Sequence, residues 1–116
     1  MIVEDTATLL NLVVTVLQMA KYHAVPAPSG ENALEVLKET SKIDLLVTDI
    51  LMPGIDGFEL ARQVRESINE LPIVFISGYF DSTRKEYLEW IEDPKVSFLL
   101  KPFNPANLIR EIEIML

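Results

Sequence analysis

Short apolar segments alternate along the chain with segments of helical periodicity. The apolar segments predict strands at residues 1–4, 22–25, 43–48, 72–76 and 96–100. The periodic segments predict helices at residues 6–21, 29–39, 57–67, 83–91 and 105–115, with capping residues such as Ser29, Asp56 and Asn104. Strands that alternate with helices indicate parallel β-α-β units, and strands apolar along their whole length are typical of a sheet covered on both faces. We therefore predict one domain over residues 1–116, an α/β fold built as a three-layer sandwich.

Polar residues follow four of the five predicted strands. Glu4 and Asp5 lie at the end of the first strand, while Asp49 follows the third, Ser77 the fourth and Lys101 the fifth. The carboxyl ends of parallel strands meet at one edge, where such folds bind ligands. Three close carboxylates repel one another unless a cation joins them, and hard oxygen ligands suit Mg²⁺. A lysine and a serine suit phosphoryl oxygens, and a carboxylate can accept the phosphoryl group. The residues alone therefore predict a phosphoryl-transfer site with an aspartate nucleophile.

Composition removes several other classes of function. The 116 residues include 18 acids and 10 bases, a net charge of -8 that argues against direct contact with nucleic acid or an anionic membrane. The sequence has no cysteine, which excludes disulfides, zinc–thiolate sites and thiol nucleophiles. Its longest apolar stretch, residues 9–20, is too short to span a membrane. We expect a cytoplasmic location.

The sequence resembles the receiver domain of two-component response regulators over essentially its whole length. The motifs that carry the resemblance are Ile2-Val3-Glu4-Asp5, Asp44-Leu45-Leu46-Val47-Thr48-Asp49, Met52-Pro53-Gly54-Ile55-Asp56-Gly57, Phe75-Ile76-Ser77-Gly78 and Lys101-Pro102-Phe103. The resemblance implies a flavodoxin-like five-stranded parallel sheet in order 2-1-3-4-5. It also implies a phosphoacceptor that takes a phosphoryl group from the phosphohistidine of a histidine kinase or phosphotransfer domain. The run at residues 75–79 is more typical of receivers in hybrid histidine kinases.

The resemblance also assigns the metal and acceptor residues. Asp49 matches the phosphoacceptor. Asp5 matches the acid that binds Mg²⁺ (or Mn²⁺) directly together with Asp49, and Glu4 matches the neighbour that acts through water. The backbone carbonyl of Leu51 matches the remaining protein ligand.

Three further positions match the family's switch and catalytic residues. Lys101 matches the lysine that pairs with the phosphoryl group, and the bond to Pro102 is expected to be cis. Ser77 matches the hydroxyl that turns toward the phosphoryl group. Phe98 matches the switch aromatic but lacks the hydroxyl of a tyrosine, so packing in the core is an equal alternative. The resemblance implies output through helix four, strand five and helix five to a downstream protein or linked output domain, with a possible dimer there.

Several positions depart from the family pattern, and two other functions remain as alternatives. Only three residues precede Glu4, and residues 92–95 replace the small turn that the family has before strand five. The domain could instead be a receiver-like interaction module that acts without phosphorylation. A Mg²⁺-dependent phosphatase is weakly indicated, because no second acid closely follows Asp49. The domain is not a conventional enzyme in our interpretation, although it would promote its own phosphorylation and slow dephosphorylation.

The first helix is apolar over more than half of its circumference. At about 100° per residue, Leu9, Val13 and Ala20 centre an apolar arc of roughly 220°, while a core-facing stripe needs only about 100°. We therefore expect an exposed apolar rim around Leu10 and Val14 that docks a helical phosphodonor domain. Tyr87 and Trp90 lie on one face of the predicted fourth helix, where either the core or a partner could cover them.

Overall fold

Five strands and five helices alternate through the chain in the computed structural model, which describes residues 1–40, 42–80 and 84–116. The strands are β1 (Ile2–Val3), β2 (Pro26–Ala27), β3 (Leu46–Asp49), β4 (Ile73–Ser77) and β5 (Val96–Leu100). The helices are α1 (Ala7–Met19), α2 (Gly30–Glu39), α3 (Gly57–Ser67), α4 (Lys85–Trp90) and α5 (Pro105–Met115). None of the helices in these three ranges is long and apolar enough to cross a membrane.

The strands form one parallel sheet in the order β2-β1-β3-β4-β5, which confirms the predicted fold class and strand order. Ile2 of the interior strand β1 pairs with Pro26 on one side and Val47 on the other. The strand order reverses between β1 and β3. The carboxyl ends of these two strands therefore flank the crevice where an open α/β sheet binds its ligands.

Helices cover both faces of the sheet. In β4, Ile73 and Phe75 face the layer that contains α2, α3 and α4, whereas Val74 and Ile76 face the layer of α1 and α5. Successive side chains of a strand point to opposite faces, so a strand buried on both sides is apolar throughout. This explains why the strand segments of the sequence show no alternation of apolar and polar residues.

The prediction for the second strand was wrong in its position. We expected residues 22–25 with Pro26 as a terminator, but β2 consists of Pro26 and Ala27. The segment around β2 contributes carbonyls: Val25 O accepts from Ile2 N at 2.8 Å and Ala27 O accepts from Glu4 N at 3.1 Å. Because β2 is an edge strand, it loses nothing by the missing N–H of Pro26.

The expected rim on α1 was also wrong in its position. Leu10 is 8% exposed and packs with Val13 and Leu17 against the sheet, while Val14 is half-buried. The spacing 10, 13, 17 is that of one helical face. Leu12 and Met19 are the large apolar side chains that α1 exposes. Both flanks of the helix are apolar, so its rotation depended on packing that the sequence pattern alone did not specify.

The fourth helix and the turn after it differ from the family expectation. The fourth helix is predicted over residues 83–91. Residue 83 lies outside the described residues, and α4 begins at Lys85. Its Tyr87 and Trp90 are both buried, so they belong to the core. In the turn that follows, the Asp93 carboxylate accepts from Lys95 N at 2.8 Å and from Arg65 Nη1 at 2.5 Å. An acidic turn bound by an arginine thus replaces the small-residue turn.

Candidate functional site

Asp49 ends β3, and its carboxylate lies at the sheet edge with the residue only 6% exposed. Ile50 N donates to Ile76 O at 3.0 Å, and Gly57 N donates to Ile50 O at 2.8 Å. A Cβ on Gly57 would overlap the Asp49 carbonyl oxygen, so glycine allows the start of α3 to approach the strand closely. These contacts fix the backbone that carries the Asp49 carboxylate.

Glu4 directly follows β1 and is 3% exposed. Its Oε2 accepts from Thr6 N at 2.9 Å, so Glu4 rather than the Thr6 side chain satisfies the first turn of α1. Asp5 is exposed beside it. One carboxylate oxygen from each of Glu4, Asp5 and Asp49 lies within 4.8 Å of the others.

Lys101 joins the acids from the far end of the chain. Its Nζ donates to Glu4 Oε1 at 2.9 Å and to Asp49 Oδ2 at 3.1 Å. Its backbone N donates to Ser77 O at 2.8 Å, and the Lys101–Pro102 bond is cis as expected. The expected convergence of Glu4, Asp5, Asp49 and Lys101 is therefore confirmed.

The cluster carries more negative than positive charge. Burial raises the pKa of Asp49 to about 6, with a further contribution from the Glu4 charge, although Lys101 acts to lower it. Burial and the neighbouring Glu4 also raise the pKa of Asp5. Burial acts to raise the pKa of Glu4 as well, but the Thr6 N–H and the Lys101 ammonium outweigh it and hold that pKa below its usual range. Three oxygen donors with one ammonium to balance them fit a divalent cation with hard-ligand preference.

Leu51 lies in the loop between Asp49 and α3, with its side chain 60% exposed. The loop turns at Gly54, where φ is +79°, a conformation that favours glycine. The Glu31 carboxylate at the start of α2 accepts from Ile55 N at 3.2 Å. The predicted ligand role of the Leu51 carbonyl stays a prediction.

The Ser77 hydroxyl is bonded within the loop that follows β4. Ser77 is 1% exposed, its Oγ donates to Tyr79 O at 2.6 Å, and it accepts from Tyr79 N at 3.1 Å. Both hydrogen bonds of the hydroxyl thus run toward Tyr79. To bond a group on Asp49, Ser77 would have to exchange the first of these bonds.

Phe98 is half-buried in an aromatic cluster. Its ring centroid lies 5.4 Å from Phe75, 5.5 Å from Tyr87 and 5.6 Å from Phe80. Core packing explains this position. A hydroxyl in the same cluster was not predicted: Tyr87 Oη donates to Tyr79 O at 3.0 Å. The acceptor is a backbone oxygen, so no sequence pattern indicated this hydrogen bond.

An apolar groove of about 410 Å³ opens beside Lys101. It lies between the outer side of α1 and the segment that leads into α5. Its lining includes Leu9, Leu12, Val16, Pro102, Phe103 and Leu108. The groove lining on α1 includes the exposed Leu12 but neither Leu10 nor Val14, around which we expected the exposed rim.

Comparison with known proteins agrees with this geometry. The sequence model of the response regulator receiver domain matches residues 1–113. The response regulator receiver protein CpdR of Brucella abortus is 38% identical over 116 residues, which cover all of this chain and 94% of CpdR. The sensor kinase CckA of the same organism is 33% identical over 117 residues, but these are only 12% of that kinase.

Solved structures give the same result. The receiver domain of the hybrid histidine kinase CckA superposes with a TM-score of 0.82 at 31% identity, covering 98% of this chain and 94% of that one. Vibrio cholerae CheY4 superposes with a TM-score of 0.87 at 26% identity, covering 99% and 95%. The chain belongs to the response regulator receiver domain family of two-component signal transduction. Receiver domains bind Mg²⁺ at an acidic pocket and interact with histidine kinases and with output or partner domains.

Proposed function

We propose that Asp49 accepts a phosphoryl group from the phosphohistidine of a histidine kinase or a histidine phosphotransfer domain. The observation that carries the proposal is the buried Asp49 carboxylate, 3.1 Å from the Lys101 ammonium and grouped with two further acids. Asp5, Asp49 and the Leu51 carbonyl would hold Mg²⁺ or Mn²⁺, with Glu4 acting through water. The bound ion would supply positive charge to balance the phosphoryl oxygens.

Asp49 and Lys101 have different roles in the proposed phosphoryl transfer. Asp49 Oδ2 accepts from Lys101, which leaves Oδ1 to attack phosphorus in line. The new bond joins Oδ1 to phosphorus while the bond from phosphorus to the donor imidazole breaks, and the imidazole leaves with the electron pair. Lys101 Nζ is positioned to stabilise the phosphoryl oxygens as charge develops on them. Water later attacks phosphorus, the bond from Oδ1 to phosphorus breaks, inorganic phosphate leaves and Asp49 returns to its carboxylate form.

Ser77 would couple phosphorylation of Asp49 to a change at the surface of the domain. A phosphoryl group on Asp49 offers oxygens that compete with the Tyr79 carbonyl for the Ser77 hydroxyl. The neighbouring surface of α4, β5 and α5 exposes Leu88, Ile91 and Leu100. We propose this surface as the contact for a downstream protein, an output domain or a second copy of the domain.

The groove beside Lys101 is the best-supported docking surface for the phosphodonor. It combines the exposed Leu12 of α1 with apolar side chains before and within α5, and Lys101 itself contributes to its lining. A helix that presents a phosphohistidine there would bring the phosphoryl group to the edge of the acid pocket. The docking role first predicted for Leu10 and Val14 is therefore proposed for Leu9, Leu12 and Val16.

Acetyl phosphate labelling tests the acceptor. With Mg²⁺, we expect the intact protein to gain the mass of one phosphoryl group, and chelation of Mg²⁺ to prevent it. Asp49→Asn should abolish labelling, whereas the exposed Asp44→Asn should label like wild type. Labelling retained in Asp49→Asn would move the acceptor elsewhere. An unlabelled wild type would instead favour the phosphorylation-independent module, and turnover of generic phosphate esters would favour the phosphatase.

The same assay with a phosphorylated histidine phosphotransfer domain tests the docking groove. Leu12→Glu should slow transfer by about tenfold, the loss of about 1.4 kcal/mol of contact energy, while acetyl phosphate labelling stays unchanged. Met19→Glu is a matched control, since Met19 is an exposed apolar residue of α1 outside the groove lining. Equal transfer rates for Leu12→Glu and wild type would overturn the docking assignment.

A further inference from the structure

One backbone carbonyl in the loop after β4 accepts hydrogen bonds from two hydroxyls. Ser77 Oγ donates to Tyr79 O at 2.6 Å, and Tyr87 Oη donates to the same oxygen at 3.0 Å. The serine belongs to the end of β4, and the tyrosine belongs to α4. This oxygen therefore links the acid pocket to the helix that lies beside the proposed output surface.

The Tyr87 hydroxyl is held in place by its ring. Tyr87 is 6% exposed, and its ring centroid lies 5.1 Å from Phe58, 5.5 Å from Phe98 and 5.8 Å from Phe80. Aromatic contacts at such distances stabilise edge-to-face and tilted arrangements. Because these neighbours are phenylalanines, Tyr87 supplies the hydroxyl at this point of the cluster.

We propose that Tyr87 is a positioning residue of the phosphorylation switch and supplies the hydroxyl that Phe98 lacks. The proposal rests on the function proposed above. When Ser77 turns toward the phosphoryl group, the Tyr79 carbonyl loses its shorter hydrogen bond and keeps the one from Tyr87. The loop and α4 then move as a linked pair, because Tyr87 bonds the loop while its ring packs in the core.

The chain contains its own reporter of this link. Trp90, the single tryptophan of the sequence, lies in α4 three residues after Tyr87 and is 8% exposed. Its ring lies 5.5 Å from Phe75 and 5.0 Å from the Arg65 guanidinium. A movement of α4 changes these contacts, and with them the tryptophan fluorescence.

The experiment measures Trp90 fluorescence and Asp49 occupancy in the same samples, with acetyl phosphate and Mg²⁺. Wild type should change its fluorescence in proportion to the phosphorylated fraction found by mass spectrometry. Tyr87→Phe should reach the same fraction but lose most of the fluorescence change. Tyr22→Phe is the matched control, because Tyr22 is a partly buried tyrosine packed in the opposite layer, and should respond as wild type.

Hydrogen exchange over residues 85–91 provides a second readout, and urea unfolding checks that each variant is folded. The double variant Ser77→Ala with Tyr87→Phe should lose no more of the response than the larger single loss, since both residues act through one carbonyl. Four results would overturn the proposal. They are an unchanged response in Tyr87→Phe, a labelled wild type with no change at α4 by either readout, additive losses in the double variant, and failure of Tyr87→Phe to label. A wild type that does not label would refute the proposed function itself.

Discussion

Two ionic clusters of the molecule use the same kinds of side chain to opposite effect. In the first, which we call the Arg65 cluster, the guanidinium donates to Asp93 Oδ2 at 2.5 Å and to Leu71 O at 2.9 and 3.1 Å. Its guanidinium also lies 5.0 Å from the ring centroid of Trp90. In the second, the Lys101 cluster, one ammonium faces Glu4 and Asp49, with Asp5 beside them.

The difference is one of charge balance. The Arg65 cluster pairs one cation with one acid, and the hydrogen bond from Arg65 holds the pKa of Asp93 below its ordinary value of 3.8. In the Lys101 cluster burial and Glu4 raise the pKa of Asp49 to about 6. The balanced cluster stabilises the fold, whereas the unbalanced one costs stability and leaves negative charge ready for a cation. Perturbed carboxylates of the second kind are typical of functional sites.

The largest effect is expected from breaking the balanced cluster. Arg65→Met removes both bonds to the Leu71 carbonyl and leaves the Asp93 carboxylate without its partner. We expect the free energy of unfolding to fall by about 2 kcal/mol, measured by urea denaturation, because the variant loses hydrogen bonds of a charged group in a partly buried pair. Arg62→Met is the matched control on the same helix. Arg62 is 45% exposed and pairs with Glu59 and Glu89, and such exposed pairs contribute at most about 1 kcal/mol. Equal losses for the two variants would remove the distinction between the clusters.

Removing one negative charge from the Lys101 cluster should have a smaller effect on the free energy of unfolding, and one of opposite sign. In a metal-free buffer at pH 7.5, Asp49→Asn should raise the free energy of unfolding by about 1 to 2 kcal/mol, because it removes a carboxylate whose ionisation the fold disfavours. In the folded protein the Asp49 carboxyl keeps its proton up to about pH 6, whereas in the unfolded chain it releases the proton near pH 3.8. The gain should therefore be complete above pH 6 and fade as the pH falls toward 4.

Added Mg²⁺ should shrink the same gain, since a ligand that binds only the folded wild type stabilises it. Glu35→Gln, which neutralises an exposed acid of α2, serves as the control. A loss of stability in Asp49→Asn at pH 7.5 would show that the negative charge of Asp49 does not destabilise the folded protein.

The comparison also shows what the sequence could and could not predict. The Lys101 cluster was predictable because parallel strands place their carboxyl ends at one edge, which brings Lys101 to Glu4 across 97 positions. The Arg65 cluster was not, because a helix arginine resembles any solvated charge. Its partners lie in loops, at residues 71 and 93, whose paths no periodicity describes.

The same limit explains the remaining differences. The core-facing side of α1 could not be chosen while apolar residues covered more than half of it, so Leu10 was expected at the surface. The position of β2 depended on carbonyls offered to one neighbouring strand, which any residue type can provide. The Tyr87 hydroxyl bonds a backbone oxygen, and backbone acceptors leave no trace in a sequence pattern. Side-chain chemistry at strand ends was thus predictable, whereas contacts to the main chain were not.

The smallest effect should come from the acid of the balanced cluster, and it sharpens the contrast in pH dependence. Asp93→Asn should lower the free energy of unfolding by about 1 kcal/mol near pH 7, because the amide oxygen keeps the bond from Lys95 N but loses the charge paired with Arg65. The pKa of Asp93 is lower in the folded protein, so its contribution is complete above the ordinary value of 3.8 and disappears as the pH falls below it. The deficit of Asp93→Asn should thus close on acidification, in urea titrations from about pH 7 to about pH 2.5. Asp44→Asn is the exposed control. In acid, the free energies of unfolding of both variants should approach that of wild type. Asp49→Asn starts out more stable than wild type, whereas Asp93→Asn starts out less stable. A deficit that stays constant across this range would mean that Asp93 acts through packing rather than through its charge.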